Sequence, residues 1–439
     1  MGLFARILPV GENIALGTET KPNTDLMSFS ERLMGGAVGA LNAGGRVLRR
    51  AGIERPSLDR GLLMAAARRR AGLESFGAWP IDEPLGRLLD SYENESRLTA
   101  LGRVAARELV VSLLENLLHM EQERQREPAV AEEPIAAPTF IVGLPRTGTT
   151  LLHGLMSQDP ENRVPLTWEV MYPARFPNTP EGADRARRLT ASRLGWANRL
   201  APEFRKIHPI APDLPQECIA ITAQVFMSIQ FHTTHNVGSY EDWLERDTQA
   251  LAYAFHRRLL QHLQRRSSGK RWVLKAPGHL FALEALLAEY PDAKIIQTHR
   301  DPLRVMASMA SHATVLRRAF SDHAVPERIA ADWSHRWSEA LKGFLAVRDR
   351  SAGDRFLDVA YDDIETRPLD VVRRVYEFLD RPLTPKAEDA MQRFLDANPK
   401  HKHGAHRYSL AEYGLSRNDE IRRYADYCKR FDIAVQADI

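Results

Sequence analysis

The sequence predicts an α/β fold, a P-loop-like parallel sheet flanked by helices and preceded by an α-helical N-terminal region. Three observations carry this. From Thr139 onward, short apolar runs alternate with helix-period segments, the pattern of parallel strands joined by crossover helices. Residues 1–137 instead place apolar residues at i, i+3, i+4 spacing and read as all-helical. Between the two lies Thr139-Phe-Ile-Val-Gly-Leu-Pro-Arg-Thr-Gly-Thr-Thr150, which reads as a buried strand, a phosphate-type turn and the start of a helix.

In the first region, helices are predicted at Ser57–Gly72, Pro84–Glu95 and Thr99–Arg124. Val110, Leu113, Leu114, Leu117 and Leu118 form one core-facing stripe in the third. Gln125–Pro138, rich in Glu, Ala and Pro, reads as a linker. Strands follow at Thr139–Gly143, Arg271–Leu274, Ala293–Thr298 and Arg355–Val359. Helices are expected at Thr149–Gln158, Glu181–Arg199, Pro215–Phe231, Thr248–Arg266, Gly278–Tyr290, Pro302–His312, Val325–Arg350 and Pro368–Leu379. In the long helix over 325–350, Trp333, Trp337, Leu341 and Phe344 share a face. Ligand loops in such a sheet belong at the carboxyl ends of the strands.

The chain has 439 residues, enough for one large domain plus a smaller one. With 60 basic and 57 acidic residues it lacks the basic footprint of a nucleic-acid binder. Cys218 and Cys428 are the two cysteines, too few for a disulfide framework and without metal-ligand spacing, which fits a reducing, cytoplasmic setting. No secretory signal and no transmembrane run are expected. The Gly/Ala-rich stretch Leu33–Leu48 is amphipathic and reads as a buried packing helix, with peripheral contact to a membrane as the other reading. Nothing in the sequence bears on oligomeric state.

Four segments carry the chemistry. The glycine-rich loop nearly matches G-x-x-x-x-G-K-[ST], with Gly143 and Gly148 in register and Thr150 in the Ser/Thr slot, but Thr149 stands where the lysine belongs. Backbone N–H groups, the hydroxyls of Thr147, Thr149 and Thr150 and the cation of Arg146 can still hold an anion at the helix start. The lost lysine points to a nucleotide with a terminal group other than that of ATP. In Thr298-His-Arg-Asp-Pro302, Arg300 follows a strand and Ser308 lies eight residues on; both can donate to one phosphate. In Trp272-Val-Leu-Lys-Ala-Pro-Gly-His279, Lys275 closes a strand, where it can stabilise charge on a bridging oxygen, and His279 can serve as a base. Tyr361 ends the strand of Phe356-Leu-Asp-Val-Ala-Tyr361 and can stack on a base. Taken singly, each of these has a plain structural alternative: a salt bridge, a capping lysine, a satisfied histidine, a core tyrosine.

Together and in this order they resemble the sulfotransferases that use 3′-phosphoadenosine 5′-phosphosulfate (PAPS), specifically a bacterial branch with a helical N-terminal extension. The resemblance covers about 138–415 and implies a helical region over 1–137 and a sulfotransferase domain over 138–439. It implies that Arg146, Thr147, Gly148, Thr149 and Thr150 form the 5′-phosphosulfate loop, that Arg300 and Ser308 hold the 3′-phosphate, and that Tyr361 lies near the adenine. Lys402, in Lys402-His-Gly404, is a loose match to the family's basic segment on the 3′-phosphate. For the base the resemblance favours Glu169, in Thr167-Trp-Glu169, over His279 and His208. The implied reaction is metal-independent sulfuryl transfer to a hydroxyl or amine of a small-molecule, lipid or glycan acceptor, with no metal site. Ile295-Ile296 is followed by Gln-Thr-His rather than a magnesium-holding acid. A small-molecule kinase with Asp358 on Mg²⁺, or a non-catalytic nucleotide binder, are the alternatives. Residues 160–245, with Trp168, Tyr172, Phe176, His208, Phe231, Tyr240 and Trp243, are expected to line the acceptor pocket.

Overall fold

The structure, a computed structural model, describes residues 39–47, 50–51, 54–200, 210–265, 271–398 and 409–436. Three helices open the described chain proper: α1 (Arg60–Ala71), α2 (Asp82–Asn94) and α3 (Ala100–Arg126). Asp59 caps α1 by accepting from Leu62 N at 2.8 Å, and Gly72, at φ 66°, ends it in the left-handed conformation that a side chain disfavours. Thr99 caps α3 through Gly102 N, and the predicted leucine stripe of α3 is buried.

The expected linker is ordered and packed. Gln125 and Arg126 complete α3, a 3-10 turn spans Pro128–Glu132, and Val130 is buried. The side chain of Gln261 donates to the carbonyls of Ala131 and Glu133 at 2.9 and 2.8 Å. Of Leu33–Leu48, the part at 39–47 is helical and mostly exposed, not buried as expected; it touches α3 where a Cβ on Gly45 would meet that of Ala100 at 2.5 Å and where Asn42 Oδ1 accepts from Leu101 N at 3.1 Å.

Five strands make one parallel sheet: β1 (Thr139–Gly143), β2 (Asn162–Arg163), β3 (Arg271–Lys275), β4 (Lys294–His299) and β5 (Phe356–Ala360), in the order β2-β3-β1-β4-β5. The chain leaves β1 toward β2 and β3, then crosses to β4 and β5, so the crevice at the carboxyl end of β1 is the topological switch point. Alternation along β1 divides the core. Phe140 and Val142 face a cluster continuous with the N-terminal helices, whereas Ile141 joins Val273, Ile296 and Val359 on the other face. Each face is covered by helices, so the strands read as apolar runs rather than alternating ones.

The helices that position the site are α4 (Thr149–Met156), α5 (Thr167–Met171), α6 (Pro180–Leu200), α7 (Cys218–Thr222), α8 (Gln230–Thr234), α9 (Gly238–Leu244) and α10 (Ala250–Gln264). Past β3 come α11 (Leu283–Glu289), α12 (Pro302–Phe320), α13 (Pro326–Asp349), α14 (Tyr361–Thr366), α15 (Pro368–Phe378) and α16 (Pro385–Ala397). The helix expected over 215–231 is broken. It starts only at Cys218, passes through a 3-10 turn and stops at Phe226, whose φ of 59° no α-helix accommodates. Tyr361 opens α14 rather than ending a strand. The helical region docks on α12: Thr99 N donates to Phe320 O at 2.9 Å, and a Cβ on Gly102 would lie 2.0 Å from that same carbonyl oxygen. Among the described residues no helix is long and apolar enough to cross a membrane, and no group of three or more His, Cys, Asp or Glu could hold a metal ion.

Candidate active site

The loop between β1 and α4 is held open from beneath. A Cβ on Gly143 would come within 2.3 Å of Thr298 Oγ1, so only glycine lets β1 run this close to β4. Thr147, fully buried, donates to Leu144 O at 2.6 Å, and its hydroxyl lies 2.6 Å from that of Thr298 in a second hydrogen bond. Thr147 thus ties the turn together rather than facing outward. Gly148 takes φ 86° as the residue before α4, and no side chain caps that helix, so its first N–H groups are free to bind an anion. Arg146 and Thr150 are exposed at the rim, and Thr149 is buried.

Arg146 itself has φ 65°, a left-handed conformation costing an arginine about 1–2 kcal/mol. Arg300 offsets this: its Nη1 donates to the Arg146 carbonyl at 2.7 Å while its guanidinium lies 3.8 Å from the centre of the Tyr361 ring. Tyr361 and Ile364 in turn pack on Gly148, where an added Cβ would meet them at 3.3 and 3.0 Å. Burial, followed by the neighbouring cations of Arg146 and Arg304, pushes Arg300 below the ordinary arginine value. Ser308 sits two turns into α12, partly exposed, and its hydroxyl has no side-chain or backbone partner among the described residues. The structure therefore brings Arg146, Gly148, Arg300 and Tyr361 into one cluster at the carboxyl ends of β1, β4 and β5. Lys402 and His208 lie outside the described residues.

On the other side of β1, Lys275 ends β3 with its side chain buried. Its Nζ contacts the Thr150 hydroxyl at 3.4 Å and makes a short ion pair with Glu217. No sequence motif singles out Glu217. It reaches Lys275 because 165–168 and 212–216 form a short antiparallel ribbon: Gln216 N donates to Pro165 O at 2.8 Å, Thr167 N to Leu214 O at 3.0 Å and Trp168 N to Pro212 O at 3.1 Å. The only local signal was a carboxylate that follows Pro215 and precedes the apolar helix α7.

Glu169, the favoured base in the sequence, is engaged on both oxygens. One accepts from Arg163 Nη2 at 2.5 Å and the other from Leu166 N at 2.9 Å. The residue is 3% exposed. His279 is also buried, with Nδ1 bonded to the Tyr253 hydroxyl at 2.6 Å and its ring edge-on to Phe140. Burial pushes its imidazole well below the usual histidine value. Phe231 and Tyr240 pack on each other in the core, with the Tyr240 hydroxyl donating to Phe226 O at 2.7 Å. A cleft of about 580 Å³ does open at the β2 edge, walled by Val164, Leu166, Trp168, Pro177, Ala183 and Arg187, with Arg163 and Glu169 also lining it.

Asp358, the carboxylate a magnesium-dependent kinase would need, is committed elsewhere. Arg348 grips it at 2.7 Å through both terminal nitrogens, and His299 bonds it at 2.8 Å. Those partners hold its carboxyl well below the usual carboxylate range despite burial.

The fold, with this lysine-free loop at its switch point, is that of a sulfotransferase. The model of the Sulfotransferase family matches residues 138–385, more than half of the chain, and the chain belongs to that family. It is similar in structure to sulfotransferase STF1 from Mycobacterium tuberculosis H37Rv, at 34% identity and a TM-score of 0.75 over 84% of this chain and 98% of that one. STF9 from Mycobacterium avium is 26% identical with a TM-score of 0.75, over 87% of this chain and 98% of that one. The omega-hydroxy-beta-dihydromenaquinone-9 sulfotransferases Stf3 of Mycobacterium bovis and Mycobacterium tuberculosis are 26% identical over 281 residues, 61% of this chain and 69% of theirs. The chain is a transferase of sulfuryl groups, and the kinase alternative is not favoured.

Proposed function

We propose that this enzyme moves the sulfuryl group of PAPS to the hydroxyl of an elongated, largely apolar small molecule or lipid. The observation that carries the donor is Arg300, held between the loop carbonyl of Arg146 and the Tyr361 ring. A second fixed cation beside a phosphate-type loop suits a nucleotide with a 3′-phosphate as well as a 5′-chain. The residues present fit such a donor. The free N–H groups at the start of α4, with Arg146 and Thr150, would hold the 5′ end; Arg300 and Ser308 the 3′-phosphate; Tyr361 the base. When bound, the donor supplies an activated sulfuryl group, which needs no divalent metal to be transferred.

The chain's own residues then divide the work. Thr147 and the two glycines fix the loop before anything binds. Lys275 is placed to stabilise charge developing on sulfuryl and bridging oxygens, in a buried setting where such an interaction is strong. Glu217 is the base. In the resting enzyme its carboxylate is paired with Lys275; once Lys275 turns to an anionic oxygen, Glu217 is released to take the acceptor's proton.

The donor residues lie over β1, β4 and β5, so in-line attack brings the acceptor from the β3 and β2 side. The cleft at the β2 edge lies on that side, and its volume falls within the roughly 300–1,000 Å³ of ligand sites. The omega-hydroxy-beta-dihydromenaquinone-9 named for the Stf3 relatives supports a long apolar acceptor, for which Val164, Leu166, Trp168, Pro177 and Ala183 offer apolar walls beside the polar Asn162, Asn178, Thr179 and Arg187. We further infer that 138–439 carries the chemistry while the helices of 1–137 brace it through α12. Two free cysteines, one buried, accord with a reducing, cytoplasmic setting.

The test is transfer of label from ³⁵S-labelled PAPS to a panel of long-chain hydroxylated lipids and short alcohols, with and without a chelator, beside γ-labelled ATP. Chelator-insensitive sulfate transfer to the long-chain hydroxyls is expected. Chelator-sensitive phosphate transfer, or no transfer to any acceptor despite nucleotide binding, overturns the reading.

A further inference from the structure

We propose that the buried Arg163–Glu169 pair is a positioning device that sets Glu217 in register with Lys275. This rests on the reading of Glu217 as the base. The pair closes a seven-residue turn on itself. Arg163 Nη2 bonds Glu169, Arg163 Nη1 donates to Val164 O at 2.5 Å, and the second Glu169 oxygen accepts from Leu166 N. Both side chains are more than nine-tenths buried.

Two contacts lead from this turn to the reacting groups. Arg163 pairs with Trp272 in the β2–β3 ladder and lies 5.1 Å from that indole ring, three residues before Lys275. The inside of the turn, 165–168, forms the ribbon with 212–216 that delivers Glu217. One end of the turn is therefore fixed to the strand of the lysine and the other to the segment of the carboxylate. A two-residue strand such as β2 has few ladder bonds with which to hold that register alone.

A buried ion pair is weak evidence of stability, because the cost of desolvating both charges offsets their attraction; fixing a register is its best-attested use. Arg163 and Glu169 also line the acceptor cleft, so an acceptor seated there contacts the device that sets the base. Glu169 acts through Glu217 and takes no proton itself.

The experiment compares Glu169→Gln, Glu217→Gln and the charge-free double variant Arg163→Met/Glu169→Leu in the full chain. It measures kcat and acceptor KM against pH, and affinity for 3′,5′-phosphoadenosine by calorimetry. Glu169→Gln should lower kcat about 10- to 100-fold, as a base displaced by about 1 Å does. It should leave nucleotide affinity within about twofold and retain the acidic limb of the kcat profile, which still reports a working carboxylate. Glu217→Gln should lose that limb. The double variant, able to fold without the buried charges, should show the same kcat loss as Glu169→Gln. Loss of the limb in Glu169→Gln with its retention in Glu217→Gln makes Glu169 the base and overturns the inference. Unchanged kcat in Glu169→Gln, or wild-type kcat in the double variant, shows that the pair positions nothing. If neither single variant alters the limb, the assignment of Glu217 under the proposed function fails, and the positioning role fails with it.

Discussion

The two sides of the central strand hold charge in opposite ways. On the β4–β5 side, Arg146 and Arg300 are cations with no carboxylate between them, braced by a carbonyl and an aromatic ring. On the β3–β2 side the two buried cations Lys275 and Arg163 each have an acid, Glu217 and Glu169. An unneutralised cation pair costs stability in the empty protein and is relieved by an anionic ligand, so under the proposed function the first side is the one that binds. Paired, buried charges are held in register, so under the proposed function the second side is the one that reacts.

The largest expected effect falls on the reacting side. Glu217→Gln should lower kcat by about 10²–10⁴ with little change in nucleotide affinity, measured by steady-state kinetics and calorimetry. A comparable loss of nucleotide affinity with unchanged kcat would exchange the roles of the two sides. Next comes Lys275→Met, expected to lower kcat by about 100-fold or more, with acceptor KM less affected. A purely structural lysine would lower the folded fraction but not the kcat of the folded enzyme.

The binding side was legible because its parts are local. The glycine loop, Arg300 after β4 and Tyr361 after β5 each announce themselves within a few residues, and the sheet order needs only strand–helix alternation. The reacting side was not. Glu217 reaches Lys275 across 58 positions, through a ribbon that pairs Leu166 with Pro215 and leaves no periodic trace in either segment. Glu169 looked available because a carboxylate after a loop helix carries no sign of the arginine that will occupy it. Strand β2 was invisible for a related reason: Asn162 and Arg163 have no strand propensity, and pairing with Arg271 and Trp272 makes them one.

Smaller effects test how the loop joins the two sides. Gly148→Ala forces a side chain into φ 86° and against Ile364, and should destabilise the fold by about 1–2 kcal/mol in urea titration, with weaker nucleotide binding. Unchanged stability would mean that the loop does not depend on this conformation. The smallest effect concerns His153, on α4 beneath Lys275, whose Nε2 bonds Val273 O at 3.1 Å. Burial first, then the Lys275 cation, depress its imidazole to about 3. The unfolded chain takes up this proton near pH 6.5 and the native state does not, so stability is full above about 6.5 and declines as pH falls toward 3. Other buried histidines, His232, His235 and His256, are depressed likewise. His153→Leu should therefore flatten part of the acid slope of the urea midpoint; an unchanged slope would show that His153 does not contribute.

The division between a side that binds and a side that reacts is tested most directly by calorimetric titration of 3′,5′-phosphoadenosine and 5′-AMP into the wild-type protein and Arg300→Ala. Charge-assisted bonds of about 1.5–3 kcal/mol translate into a preference of roughly 10- to 100-fold for the 3′-phosphorylated nucleotide in the wild type. The variant should lose that preference, with a smaller fall in affinity for 5′-AMP from the lost brace on the Arg146 carbonyl. Equal losses for both nucleotides, or a preference that survives the substitution, would contradict the account.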